Sequence, residues 1–421
     1  MGVKKLRVMV IPTSTPTLRP RRAEQDSVGL PMDVTPQRDA RRRIAACDCA
    51  PSRSHPVNGS LLHAPAPLPR QGGGNQLFKI LIVAPSWIGD AVLAQPLFKR
   101  LHERHSELTL DVLAPPWTRA LFARMPEINS SIDSPFGHGE LALRRRYALG
   151  RSLAAQRYDQ AIVLPNSYKS ALIPRFAGIP LRTGFVGEAR WGLLNDSRRL
   201  DMQALPLMVE RFALLAEAAG DAIKRPLAAA QLKVDDAQRA ATLRQLGLAP
   251  QRPVAAMCPG AEYGPAKRWL PEYFAELAQK LAAVGCEVWL VGSAQDTALG
   301  TAIAQAAGSG CVNLCGRTTL AEAIDVLSCA ALVVSNDSGL MHVAAALDKP
   351  LTAIYGSSSP AFTPPLSALA QIVRLDLACS PCFERECPLG HFNCMRQLTA
   401  QQVWERIDFD RISKPVPVIS A

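Results

Sequence analysis

Three short stretches carry residue types that can move a proton or hold an anion, and each follows an apolar run. The first, Ser86-Trp87-Ile88-Gly89-Asp90, ends on a carboxylate where a helix should begin. A helix dipole and free backbone N–H groups favour the ionised form there, so Asp90 is expected to be anionic at neutral pH and able to accept a proton. A plain helix cap is the competing reading. In the second, Pro259 to Trp269, Gly260 and Gly264 expose backbone, and Lys267 and Arg268 arrive just before a helix start, where cation and dipole can act on one anion. A solvated basic turn is its alternative. The third runs from Ser335-Asn336-Asp337-Ser338-Gly339 into the helical spacing of Leu340 to Leu347, so strand, tight loop and helix follow in order. Such a helix start offers N–H groups to an anion, most often phosphate. Asp337 or Ser338 can cap it, Gly339 admits a close ligand, and His342 adds a donor on the first turn. An ordinary capped helix with a packed histidine fits the same residues.

The elements that must position these loops follow from periodicity. A buried parallel-type strand is expected over Lys79–Pro85, then a helix continuing through Leu93, Leu97 and Leu101. Strands at Leu108–Leu113 and Gln160–Leu164 alternate with helices at Thr118–Arg124, Gly139–Ala155, Lys169–Ala177 and Leu207–Ala219. After a linker at Leu246–Pro253, strands at Val254–Cys258, Glu287–Val291, Cys311–Leu314, Ala331–Val334 and Leu351–Tyr355 alternate with helices at Pro271–Val284, Gln295–Ala307, Leu320–Cys329 and Leu340–Leu347. The expected fold is α/β, with two Rossmann-like doubly wound domains facing across a cleft, over residues 77–248 and 249–398, and a helix and tail over 399–421. Two substrates would meet in that cleft.

Composition bounds the rest. The 421 residues are 48% hydrophobic and 20% charged, and no apolar run approaches the ~18 residues needed to span a bilayer. Near the start, Val8–Ile11 is too short for a signal-peptide core, so a cytoplasmic protein is expected. The net charge of +11 is uneven. Residues 1–76 supply +7 of it, with repeated prolines and no sustained period, and are expected to be a disordered basic extension. Of the eleven cysteines, Cys379, Cys382, Cys387 and Cys394 lie in a C-x2-C-x4-C-x6-C run with His391 inside it. Zinc or an iron–sulfur cluster is conceivable there, but the spacing fits no standard zinc pattern and free or oxidisable thiols are the leading reading. That run is expected to lie outside the donor site. Neither G-x-G-x-x-G nor G-x-x-x-x-G-K-[ST] occurs, which disfavours a dehydrogenase or a P-loop enzyme.

PSWIGD, Val163 to Phe185, CPGAEYGPAKRW, SNDSGLMHVAAAL and FTPPLS together resemble the lipopolysaccharide heptosyltransferase II family, from about Lys79 to Leu375. The resemblance implies a GT-B glycosyltransferase that takes heptose from ADP-L-glycero-β-D-manno-heptose and places it, with inversion, on the first heptose of heptosylated Kdo-lipid A. It makes Asp90 the base. Charge on the departing diphosphate would be met by Ser338, Gly339 and Leu340 at the helix tip, by Lys267 and by His342, in place of a divalent metal and with no cofactor. Gly260, Glu262, Tyr263, Gly292, Ser293 and Asp337 fall where the family holds nucleotide and heptose. The D-x-D at Asp408-Phe409-Asp410 lies in a late amphipathic stretch and is not read as a metal motif. Lys169, Arg175, Arg182 and Arg190 are candidates for an anionic acceptor. Peripheral contact with the inner face of the inner membrane is expected, and no nucleic-acid partner. The alternatives are another GT-B heptosyltransferase, a nucleotide-sugar epimerase, or a nucleic-acid or membrane binder acting through the basic head.

Overall fold

A computed structural model describes residues 77–137 and 139–411, all within one compact unit. The expected basic extension over 1–76 lies outside the described residues. Two six-stranded sheets dominate, and every strand pair in them is parallel. The first contains β1 (Phe78–Val83), β2 (Leu108–Ala114), β3 (Ser130–Asp133), β4 (Gln160–Val163), β5 (Leu181–Phe185) and β6 (Asp196–Arg198), in the order β3-β2-β1-β4-β5-β6. The second contains β7 (Val254–Cys258), β8 (Glu287–Leu290), β9 (Cys311–Asn313), β10 (Ala330–Asn336), β11 (Leu351–Ile354) and β12 (Ala370–Val373), in the order β9-β8-β7-β10-β11-β12. Both are doubly wound sheets in which chain order reverses beside the first strand of each, between β1 and β4 and between β7 and β10.

The central strands are apolar runs buried on both faces, as a parallel sheet between helical layers requires; all seven residues of β10 are buried. The edges of the first sheet are polar. Ser-Ser-Ile-Asp in β3 and Asp-Ser-Arg in β6 have no apolar run to announce them, and neither strand is legible from periodicity. The helix expected to run through Leu101 is instead two, Ile88–Leu93 and Gln95–Arg104, since Pro96 cannot donate into a continuing ladder. The helix expected over Gly139–Ala155 forms only at Leu143–Leu153, because Gly139 at φ 79° and the N-cap Ala142 at φ 41° both take left-handed conformations that a right-handed helix excludes. Pro271 opens its helix at the first position, as its fixed φ and missing N–H favour.

Polar contacts tie the halves together. Arg124 Nη2 meets the fully buried Asp325 Oδ1 at 2.6 Å, and Thr242 Oγ1 donates to the other carboxylate oxygen at 3.0 Å. Met208 N donates to Phe362 O at 2.9 Å. Each doubly wound sheet offers its ligand crevice at the carboxyl ends of the strands, where the chain order reverses. The loops after β1, β4, β7 and β10 hold the sequence motifs singled out above.

Candidate active site

The loop after β1 and the helix after β10 meet through two glycines. A Cβ on Gly89 would stand 2.8 Å from His342 Cδ2, and one on Gly339 would stand 2.8 Å from Ile88 Cβ. Neither position accepts a side chain unless its neighbour moves, and the contact brings Asp90, two residues into the Ile88–Leu93 helix, to the tip of the Gly339–Ala346 helix.

That tip is open to a ligand. Ser338 occupies the N-cap position, yet its hydroxyl caps no helix N–H; the Oγ lies 3.3 Å from Ser335 Oγ instead. Asp337 does not cap either, because it holds Lys267 Nζ at 2.6 Å. The first-turn N–H groups therefore remain available to an anion. They border a cavity of about 910 Å³ lined by Asp90, Glu262, Tyr263, Lys267, Asp337, Ser338, Gly339, His342, Ser358, Phe362, Phe383 and Arg385, among others. That volume suits a nucleotide sugar. Two buried polar atoms on its wall have no partner among the described residues: His342 Nδ1 and Ser358 Oγ. Burial of an unpaired polar atom costs about 1–3 kcal/mol, so each favours a polar ligand that would pair with it.

A second cavity, of about 400 Å³, also has Asp90 in its wall. Its walls include Phe136, Arg146, Asn166, Ser167, Lys169, Ser170 and Arg211. Ser86, Trp87, Asp90, Trp117 and Met208 line both cavities, and Asp90 is the one ionisable residue among these five. A carboxylate there is within reach of a ligand in either cavity.

Its proton affinity is not what the helix position alone implies. Burial pushes the Asp90 pKa up to about 6, with Asp337 adding to the rise and Lys267 opposing it, so desolvation outweighs the favourable helix start. Asp90 is still ionised at pH 7, and it is a better proton acceptor than an ordinary aspartate. Burial lowers His342 to about 4, so its ring is neutral in the same range. As the base in a reaction, Asp90 must be deprotonated, so kcat/KM is expected to rise with pH through a midpoint near 6 and to show no His342 step above pH 5. A midpoint near 4 in the pH–rate profile would mean that another group titrates.

Among the other residues singled out in the sequence, Gly260, Gly292 and Ser293 converge on Asp296 rather than on the large cavity. A Cβ on Gly260 would meet that carboxylate at 2.4 Å, and Ser293 Oγ donates to it at 2.7 Å. Leu340 packs against the core. On the acceptor side, Lys169 lines the smaller cavity. Arg175, Arg182 and Arg190 line neither cavity. Arg182 donates to the carbonyls of Leu193 at 2.6 Å and Ile179 at 2.5 Å; Arg190, 4% exposed, donates to those of Pro165 and Phe185; Arg175 is exposed away from the cavities. Arg182 and Arg190 staple the ends of the first sheet.

Arg146 and Arg211 stand in the smaller cavity's wall without having been singled out. Arg146 donates to the carbonyls of Leu141, Glu140 and Lys169 and lies 4.0 Å from the Phe136 ring centroid, so it fixes the shape of that wall. Its signal was its place on the buried face of its helix with Gly150 and Leu153 at i+4 and i+7. The cysteine-bearing segment also proves to reach the larger cavity, through Phe383 and Arg385, where the sequence alone placed it outside the expected donor site. All four of its thiols are free, and no group of three or more His, Cys, Asp or Glu among the described residues is arranged to hold a metal ion.

Comparison with known proteins identifies the family. Residues 146–393 match the glycosyltransferase family 9 (heptosyltransferase) model. Lipopolysaccharide heptosyltransferase 2 of Escherichia coli K12 is 46% identical over 339 residues, which cover 78% of this chain and 97% of that protein. The Salmonella typhimurium protein of the same name is 47% identical over the same length, with the same coverage of each. The solved E. coli ADP-heptose LPS heptosyltransferase II superposes with a TM-score of 0.72 at 43% identity, covering 80% of this chain and 98% of that one. Two doubly wound sheets, an open helix tip and a carboxylate between two cavities thus coincide with a family match over more than half the chain, and this chain belongs to glycosyltransferase family 9, the heptosyltransferases.

Proposed function

We propose that this glycosyltransferase moves L-glycero-D-manno-heptose from ADP-heptose to the first heptose of the lipopolysaccharide inner core, in one inverting step. The observation that carries the reading is Asp90 standing in the walls of both cavities. ADP-heptose occupies the larger one, its diphosphate on the Ser338–Gly339 helix tip with Lys267 beside it. The acceptor occupies the smaller one, with Lys169 toward its anionic groups. Asp90 takes the proton of the acceptor hydroxyl as its oxygen forms the new bond to the anomeric carbon. The bond from that carbon to the phosphate oxygen breaks on the opposite face, and the electron pair leaves with ADP. Charge growing on ADP is stabilised by the helix N–H groups and Lys267, a preorganised oxyanion-type site.

We further propose that the acceptor is met at the inner membrane surface. Leu141, Leu143, Tyr147 and Tyr168 are each 41–54% exposed beside the acceptor cavity, and Arg144 adds positive charge among them. Apolar and basic side chains side by side suit an anionic lipid surface. The test is to supply ADP-heptose with heptosylated Kdo-lipid A in phosphatidylglycerol vesicles. ADP and a diheptosylated product are expected, and the Leu143→Glu/Tyr147→Glu variant should bind those vesicles several-fold more weakly while still using deacylated acceptor. ADP-heptose converted without transfer would indicate an epimerase instead.

A further inference from the structure

We propose that Arg385, carried by the cysteine-bearing Cys379–Cys394 segment, is a donor-site residue that binds the diphosphate of the sugar nucleotide. The inference rests on the reading of the larger cavity as the nucleotide-sugar site.

The segment is built into that site from both ends. Ala266 N donates to Arg385 O at 3.0 Å, and Gly264 lies so close that a Cβ there would stand 2.5 Å from the same oxygen. Tyr263 Oη donates to Phe383 O at 2.8 Å, Phe383 N donates to Ser357 O at 2.6 Å, and Ser380 Oγ donates to Gly356 O at 2.7 Å. The loops after β7 and β11 therefore grip residues 380–385 along their backbone. What they present is a guanidinium 5.1 Å from the Tyr263 ring centroid, on the ring that Lys267 Nζ approaches to 5.0 Å. Two cations converge on one aromatic side chain at the cavity wall.

Charge explains why the second cation is needed. The ionisable groups of the wall are Asp90, Glu262 and Asp337 against Lys267 and Arg385, with His342 neutral. Lys267 is already matched by Asp337 at 2.6 Å, whereas Arg385 has no carboxylate partner among the described residues. A free cation reduces the repulsion that this surplus of carboxylates exerts on a diphosphate, and an arginine fork suits two phosphate oxygens at once.

The test measures binding of ADP, ADP-heptose and adenosine to the full-length protein by calorimetry, for the native chain, Arg385→Met and Arg385→Lys. Methionine keeps the reach over Tyr263 without the charge. ADP and ADP-heptose are expected to bind Arg385→Met roughly tenfold more weakly, near the lower limit for a lost charge-assisted contact because the residue is exposed, with Arg385→Lys between it and native. Adenosine, which has no phosphate, should bind all three alike. ADP affinity within twofold of native in Arg385→Met, or an equal loss for adenosine, overturns the proposal. A native chain that binds no ADP overturns it together with the donor-site reading, whereas native ADP binding with an unaffected variant overturns this proposal alone.

Discussion

Asp90→Ala is expected to transfer heptose roughly 10²–10⁴-fold more slowly than the native chain while still binding ADP, the loss that follows removal of a general base. The argument is geometric first: Asp90 is the ionisable residue that lines both cavities. Asp90→Asn separates charge from shape, and it should be as slow as Asp90→Ala. Rapid-quench transfer at saturating donor measures the step directly; a rate within tenfold of native would remove Asp90 from the chemistry.

The same substitution should not weaken the fold. Burial raises the native pKa to about 6 from an ordinary 3.8, so the native state binds more protons than the unfolded chain between those values. Stability from this group is therefore present below pH 4, falls as pH rises toward 6, and stays lower at pH 7. Asp90→Asn is expected to raise Tm at pH 7 and to leave it unchanged near pH 3.5. Slower transfer from a more heat-stable protein would be hard to attribute to misfolding.

Lys267→Ala has the second largest expected effect, a fall in kcat of roughly 10²–10³-fold, in the range seen when one donor to a developing anion is lost. It also strands Asp337, whose side chain is 4% exposed and paired to Lys267 at 2.6 Å. Breaking a buried pair by deleting one partner costs about 3–5 kcal/mol, so Tm should fall as well. The two effects are separable. Lys267→Ala/Asp337→Ala is expected to recover Tm without recovering kcat, because removing the stranded charge restores the fold and not the cation at the leaving group. Recovery of both in the double variant would confine Lys267 to a structural role.

The sites most legible in the sequence are those where a buried strand runs directly into a polar loop. Val83 into Ser86, Cys258 into Gly260 and Val334 into Asp337 each switch from a β-type apolar run to small and charged residues within a few positions, and the ligand loops stand there. Strands at the sheet edges, such as Asp196–Arg198, carry too few apolar residues to show a period, and the pairing that makes them strands is non-local. The fate of basic side chains was least legible. Arg182, Arg190 and Arg146 look alike as letters, but each finds backbone carbonyls that only the folded chain brings within reach. Arg385 failed to register for the opposite reason: it comes 48 residues after Asp337 but its segment folds back on the loop holding Tyr263 and Ala266. The raised proton affinity of Asp90 is not legible in the sequence, because position on a helix is local and desolvation is not.

The stereochemistry of the product tests the whole scheme most directly. With a single carboxylate between donor and acceptor, displacement occurs once and the anomeric centre inverts, so ADP-β-heptose should yield an α-linked disaccharide by the anomeric proton–carbon coupling in its NMR spectrum. A β-linked product would require two displacements through a covalent intermediate, and it would contradict Asp90 acting as the base.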